Sequence, residues 1–277
     1  MINKNKYRFS REFEKTDKRF SIGERLVHGN EILIIAGPCS VESKEQMLET
    51  AKGVSKAGAS LLRGGAFKPR TSPYSFQGLG VEGLEILQNV GKKLNMPIVT
   101  EIMNTELIEL YSEKVDLIQV GARNAQNFDM LKKLGMQKKP VLLKNGLGTT
   151  VNEWLMSSEY ILSNGNDNVI LCYRGTRSIE NATRFSMDIG AIVVAKESSR
   201  LPIAVDPSHA AGRKEFVKDF ALAAIAAGAD MLEIEVHNNP EKALSDKEQQ
   251  LSIEEFGELM DDARVVAKAI GRKIRKG

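Results

Sequence analysis

The chain has 277 residues, 42% of them hydrophobic and 27% charged, with a formal net charge of +3, which suits one large domain or two small ones. The near-balance of charge and an aromatic content of only 6% exclude a nucleic-acid surface of interleaved cations and aromatics. The opening Met1-Ile2-Asn3-Lys4-Asn5-Lys6 lacks the apolar core of a secretory signal, no run nears the ~18 apolar residues of a membrane span, and two distant cysteines, Cys39 and Cys172, argue against a disulfide framework, so a cytoplasmic protein is expected.

Residues 1–30 read as an N-terminal extension, too short for a separate regulatory domain. Within it Tyr7-Arg8-Phe9 and Arg19-Phe20-Ser21-Ile22 are candidates for a short hairpin or interface segment, and His28 is expected at the surface. From 31 to 277, β-rich apolar runs alternate with helical patterns. Strands are predicted at 32–36, 60–63, 98–101, 117–120, 141–144, 169–173, 203–206 and 231–236. Their near-continuous Ile, Val and Leu content fits strands buried on both faces. Between them, Trp154, Leu155, Ser158, Ile161 and Leu162 share a helix face. So do Val217, Phe220, Ala221, Ala224 and Ile225, and, in the last helix, Ile253, Phe256, Leu259, Met260, Ala263, Val266, Ala267 and Ile270. Ala57-Gly58 and Ala227-Gly228-Ala229 place glycines at helix ends. Eight strands, each followed by a helix, predict a (β/α)8 TIM barrel. An open doubly wound sheet is the alternative, but no glycine-rich dinucleotide fingerprint follows the first strand.

In such a barrel the C-terminal strand ends share one mouth. In chain order these ends carry Gly37-Pro38-Cys39-Ser40, Arg63 with the basic stretch Lys68-Pro69-Arg70-Thr71-Ser72, Thr100-Glu101, and Gly121-Ala122-Arg123-Asn124. Then come Lys144-Asn145-Gly146, Arg174-Gly175-Thr176-Arg177, Asp206-Pro207-Ser208-His209 and Glu233-Ile234-Glu235-Val236-His237. Polar residues at all eight ends indicate an active site. Cys39, His209, Glu235 and a carboxylate beyond it offer thiolate, imidazole and oxygen donors, a set for Zn, Fe, Mn or Cu-like ions rather than Mg or Ca alone. His237 competes with His209, because alternation puts it on the face of Glu235; the Asp-Pro-Ser turn before His209 favours the latter. A lone cysteine is more often a small core residue, and Cys172, inside a strand, is read that way. Arg63, Lys68, Arg70, Arg123, Lys144, Arg174 and Arg177 would repel one another unless anionic ligands neutralised them, which points to substrates carrying phosphate and carboxylate groups. One or two of the seven are expected to be surface or carboxylate-paired residues.

Taken together, Ala36 to Ser40, Leu62 to Ser72 continuing through Pro73-Tyr74-Ser75-Phe76-Gln77-Gly78, Gly121 to Asn124, Asp206 to His209, and Glu235-Val236-His237 followed by Pro240-Glu241-Lys242-Ala243-Leu244-Ser245-Asp246 resemble 3-deoxy-D-arabino-heptulosonate 7-phosphate (DAHP) synthase. The resemblance is to the compact type I beta form without a regulatory domain and covers roughly residues 30 to 265. It implies condensation of phosphoenolpyruvate with erythrose 4-phosphate, the entry step of the shikimate pathway. It implies one divalent metal ion (Mn, Fe, Zn, Co or Cu) on Cys39, His209, Glu235 and Asp246. Phosphoenolpyruvate contacts fall at Arg63, Lys68, Arg123, Lys144 and Arg174; erythrose 4-phosphate contacts fall at Lys68, Pro69, Arg70, Thr71 and Ser72, with Glu101 in the substrate site and Asp206 near the sugar hydroxyls. Lys68, Cys39 and His209 would be the catalytic residues, with the proton donor to the new alkoxide left between Lys68 and a water on the metal.

A homodimer or homotetramer is implied, with a separate chorismate mutase as a candidate partner. Lacking room for an added regulatory domain, the chain is expected to be insensitive to tyrosine and phenylalanine. Two positions depart from the compact form: Asn145 follows Lys144 where arginine is usual, and Tyr173 precedes Arg174 where glutamate is usual. The rival readings are a 3-deoxy-octulosonate 8-phosphate synthase acting on a five-carbon aldose phosphate, against which Pro69-Arg70-Thr71 argues, and an inactive barrel that regulates a partner.

Overall fold

A computed structural model describes residues 7–70 and 72–276. Thr71, one of the expected sugar-phosphate contacts, lies outside the described residues. The chain enters through an antiparallel hairpin, β1 (Phe20–Ile22) and β2 (Arg25–Val27). Eight parallel strands follow: β3 (Leu33–Gly37), β4 (Leu61–Arg63), β5 (Ile98–Ile102), β6 (Leu117–Val120), β7 (Val141–Lys144), β8 (Val169–Tyr173), β9 (Ile203–Val205) and β10 (Met231–Glu235). Pairing runs in order from β3 to β10, and β10 returns to β3, closing the barrel. The expected (β/α)8 architecture is therefore the observed one, and the open-sheet alternative falls.

Helices α1 (Lys44–Ala57), α2 (Val81–Leu94), α3 (Ile108–Lys114), α4 (Phe128–Gly135), α5 (Val151–Leu162), α6 (Ile189–Ser198), α7 (Pro207–Ala211), α8 (Lys214–Ala226) and α9 (Ile253–Ala269) alternate with the strands. Their ends follow local chemistry. Ser43 caps α1, whose C-terminus closes on Gly58 at φ +104, while α5 and α9 start with reciprocal capping boxes, Thr150 with Glu153 and Ser252 with Glu255. The predicted α5 face, Trp154, Leu155, Ser158, Ile161 and Leu162, is buried throughout, and the Trp154 indole N–H donates to the Leu143 carbonyl. Each such large apolar side chain contributes about 1.5–3 kcal/mol on burial. The α9 face ends one residue short of expectation: Ile270 terminates the helix and is 39% exposed.

Strand alternation divides the core in two. Ile34, Ala36, Leu62, Ile118, Leu143 and Leu171 point outward to the helices. Leu33, Ile35, Leu61, Val99, Leu117, Leu142, Ile170, Cys172, Ala204 and Met231 fill the barrel, and Ile22 and Val27 of the hairpin pack on them. Cys172 is thus a small core residue, as read from its place in the strand. The hairpin differs from expectation in its partner. Phe20–Ile22 pairs with Arg25–Val27, whereas the segment after Tyr7 makes its bridge from Ser10 to Ser199. His28 is not at the surface. It is 7% exposed, with Nδ1 against the Lys18 carbonyl and Nε2 3.5 Å from Asp17 and 3.7 Å from Asp230, because the extension folds against the barrel's N-terminal end.

Candidate active site

Going up the barrel, the interior changes from apolar to charged within one step of the strand repeat. Above Leu61 sits Arg63, above Leu142 sits Lys144, and above Met231 sit Glu233 and Glu235. Gly37 lets β3 pass close to β4 at this level: its φ is +150, and a Cβ there would collide with the Arg63 carbonyl. Gly121 likewise leaves room for the Glu101 carboxylate, since a Cβ would overlap it.

Cys39, Glu235 and Asp246 each offer a ligand atom within 4.8 Å of the others. Cys39 is held by its backbone N–H donating to Gln250 Oε1 at 2.9 Å, and its thiol faces Asp246 Oδ2 at 3.4 Å. Asp246 has the left-handed backbone of φ +44, unusual for a residue with a side chain and typical of strain kept at working sites. Glu235 Oε2 accepts from Gln249 at 2.6 Å, while its buried Oε1 accepts no hydrogen bond among the described residues and lies 3.1 Å from Arg63 Nη2. His209 stands beside this trio: Nε2 is 3.7 Å from Glu235 Oε1 and Nδ1 is 2.7 Å from Asp206 Oδ2. A carboxylate behind the far ring nitrogen is the usual backing of a metal-bound imidazole. His237 is committed elsewhere, to Glu42 at 3.3 Å and to the Asn239 N–H at 2.9 Å. Of the two competing histidines, His209 is therefore the one aimed at the cluster.

Electrostatics around these donors are steep. Burial pushes the Cys39 thiol up to about 12, against the pull of Lys68, whose Nζ is 2.9 Å from the sulfur. Burial would also raise Asp246, yet His209 and Lys68 hold it down at about 2. Burial likewise opposes ionisation of Asp206, and His209 and Lys144 hold it well below the usual carboxylate range. A soft sulfur, buried carboxylate oxygens and an imidazole backed by a carboxylate fit a divalent transition metal.

The cations converge on a mouth cavity of about 380 Å³. Lys68, Arg70, Arg123, Lys144, Arg174 and Arg177 all line it, together with Pro69, Ser72 and Glu101. Arg63 lies deeper, its guanidinium spread across Glu233 at 2.9 Å and Glu235 at 3.1 Å. Arg70 reaches Asp246 at 3.6 Å, and Lys144 pairs with Asp206 and Glu233. Arg174 differs from the rest. It is 5% exposed, its guanidinium stacks 4.0 Å over the Phe185 ring, and among the described residues Nη1 has no hydrogen-bond partner. Desolvation lowers it to about 10.

The two departures from the compact pattern sit behind this wall. Asn145 Oδ1 accepts from the Arg174 N–H at 2.8 Å and its Nδ2 donates to the Gly175 carbonyl at 3.0 Å, while the Tyr173 hydroxyl accepts from the Asp188 N–H at 3.2 Å. Three residues of the site carry no role in the sequence reading. Arg184 lines the mouth from the β8–α6 loop, away from any strand end, and Gln249 links it to Glu235, accepting from Arg184 at 2.9 Å. Glu233 was legible in principle, since alternation from Glu235 puts it inside the barrel.

Comparison with known proteins agrees with this geometry. The profile described as the DAHP synthetase I family matches residues 14–269. The Thermotoga maritima protein named phospho-2-dehydro-3-deoxyheptonate aldolase is 49% identical over 265 residues, covering 96% of this chain and 78% of that protein. The crystal structure of the Thermotoga maritima DAHP synthase superposes with a TM-score of 0.94 at 48% identity, covering 97% of this chain and 79% of that one. A 2-dehydro-3-deoxyphosphooctonate aldolase from Syntrophobacter fumaroxidans is 29% identical over 274 residues, covering 91% of this chain and 94% of that protein.

Proposed function

The chain belongs to the DAHP synthetase I family and condenses phosphoenolpyruvate with erythrose 4-phosphate in the shikimate pathway; on that premise we propose how its side chains divide the work. The observation that carries the reading is Arg174, a buried guanidinium that lines a cavity shared with other cations and whose Nη1 has no hydrogen-bond partner among the described residues. An unpaired buried cation is strongly unfavourable, so such a group is complete only with an anion bound. Arg174, Arg123, Lys144 and Arg63 would hold the phosphate and carboxylate of phosphoenolpyruvate. Lys68, Pro69, Arg70 and Ser72, with Thr71, would seat the sugar phosphate, Asp206 its hydroxyls, and Glu101 would border both.

Cys39, Glu235, Asp246 and His209 would hold one divalent ion, which when bound polarises the aldehyde oxygen as a Lewis acid. Fixing both substrates brings C3 of phosphoenolpyruvate against the aldehyde carbon, and such positioning supplies several kcal/mol of the barrier. The new C–C bond leaves C2 electron-poor, water adds there, and the C2–O bond to phosphate breaks to release inorganic phosphate. Lys68 Nζ, 2.9 Å from the Cys39 carbonyl and from its sulfur, would stand at the junction of the two substrates and give a proton to the new alkoxide. A homodimer or homotetramer is the assembly proposed.

The experiment is a turnover assay with phosphoenolpyruvate and either erythrose 4-phosphate or a five-carbon aldose phosphate, across Mn, Fe, Zn, Co and Cu and with chelator. Turnover restricted to the four-carbon sugar, lost with chelator and lost in Cys39→Ala, is expected. Preference for the five-carbon sugar, or an active metal-free Cys39→Ala, contradicts the proposal.

A further inference from the structure

Six side chains close a ring inside the barrel at the floor of the mouth. Arg63 Nη2 lies 3.1 Å from Glu235 Oε1, and Arg63 Nη1 donates to Glu233 Oε1 at 2.9 Å. Glu233 Oε2 lies 3.0 Å from Lys144 Nζ, and Lys144 donates to Asp206 Oδ2. Asp206 Oδ2 is 2.7 Å from His209 Nδ1, whose Nε2 is 3.7 Å from Glu235 Oε1. Five of the six belong to the proposed substrate or metal set. Glu233 does not: it is fully buried beneath Glu235 on β10 and is absent from the lining of the mouth cavity. It touches the two cations beneath the phosphoenolpyruvate seat, and its Oε2 also accepts from the Cys172 thiol at 3.7 Å.

We infer that Glu233 is a positioning residue that stands in for the substrate anion from below, holding Arg63 and Lys144 in place in the ligand-free pocket and weakening phosphoenolpyruvate binding in doing so. A carboxylate gives each cation its own acceptor oxygen. A glutamine offers one acceptor and one N–H donor, so one cation would face a donor whichever way the amide turns. Removing that negative charge leaves Arg63 with Glu235 and Lys144 with Asp206, so each cation loses one of its two carboxylates and the floor repels an arriving phosphate or carboxylate less. By linkage, the ligand-free protein then loses stability while the ligand stabilises it more.

The inference rests on the proposed seating of phosphoenolpyruvate on Arg63 and Lys144. The test measures melting temperature and calorimetric Kd for phosphoenolpyruvate in the metal-loaded full chain, for wild type, Glu233→Gln, Glu233→Asp and Lys144→Met. In Glu233→Gln the ligand-free melting temperature should drop by about 5 °C. The rise on adding phosphoenolpyruvate should exceed that of wild type, Kd should fall several-fold, and kcat should fall as the cations lose alignment. Glu233→Asp, which keeps the charge, should bind like wild type. An equal loss of melting temperature with and without ligand, a Kd in Glu233→Gln that is unchanged or raised, or a tightened Glu233→Asp overturns the inference. If Glu233→Gln folds only when phosphoenolpyruvate is present, the inference is supported; aggregation in both conditions overturns it. Wild-type affinity in Lys144→Met refutes the seating itself, whereas a weakened Lys144→Met beside an unchanged Glu233→Gln refutes only the role of Glu233.

Discussion

At the N-terminal end of the barrel, Asp230 is 1% exposed and both of its oxygens are occupied: Oδ1 by Lys196 and Arg272, Oδ2 by Lys196 and the Ile203 N–H. At the C-terminal mouth, Arg174 is about as buried, yet among the described residues its Nη1 has no hydrogen-bond partner, and neither has Arg63 Nε. Both regions bury charge, which is unfavourable unless compensated. The difference is where the compensation comes from. At the N-terminal end it is internal and joins the N-terminal extension, α6, β9 and the C-terminal segment. At the mouth it is left for ligands to complete.

That contrast can be broken by substitutions at either end. The largest effect is expected from Asp230→Ala, which strands Lys196 and Arg272 and should cost about 3–5 kcal/mol of stability. The protein that remains folded should keep near-wild-type kcat and KM, measured by chemical denaturation alongside steady-state kinetics. A large change in KM would mean that the N-terminal end also serves the site. Arg174→Met should do the reverse. The loss of a charge-assisted contact of about 1.5–3 kcal/mol should raise KM for phosphoenolpyruvate by roughly 10- to 100-fold, with thermal stability unchanged or improved. A destabilised Arg174→Met with unaltered KM would mark the residue as structural.

The smallest effect concerns pH. Desolvation lowers the proton affinity of His28, despite Asp230 and Asp17 beside it and with Lys196 adding to the effect. The unfolded chain therefore binds that proton more tightly than the native one. The contribution to stability is complete above the ordinary histidine value of about 6.5 and is lost as pH falls below it. His28→Asn keeps a residue that tolerates the left-handed φ of +63 found there, and should flatten the acid side of the stability–pH curve. An unchanged slope would show that His28 does not titrate in this window.

The barrel was legible in the sequence because its strands are buried on both faces and therefore read as unbroken apolar runs: β6, β7 and β8 occur as predicted, and β3 is displaced by one residue. Strand ends then located the residues that line the mouth, because a parallel barrel brings every C-terminal end to one side. What was not legible depends on contacts across long sequence separations. His28 is buried by Asp230, some 200 residues later, and the pairing of the hairpin is settled by Ile22 and Val27 seating on the barrel interior. Arg184 and Gln249 come from loops whose path no local pattern specifies. Glu233 was visible as an inward residue, but its role emerges only when Arg63 and Lys144, from two other strands, are seen to share it.

The central claim is that the unsatisfied atoms of the mouth are where ligands bind. A crystal structure of the protein with Mn²⁺ and phosphoenolpyruvate, with the metal located by anomalous scattering, tests it most directly. The expected result is a metal on Cys39 Sγ and Glu235 Oε1, joined by His209 and Asp246, with a phosphoenolpyruvate oxygen within hydrogen-bond distance of Arg174 Nη1. A metal held elsewhere, or phosphoenolpyruvate bound with Arg174 Nη1 still without a partner, would contradict it.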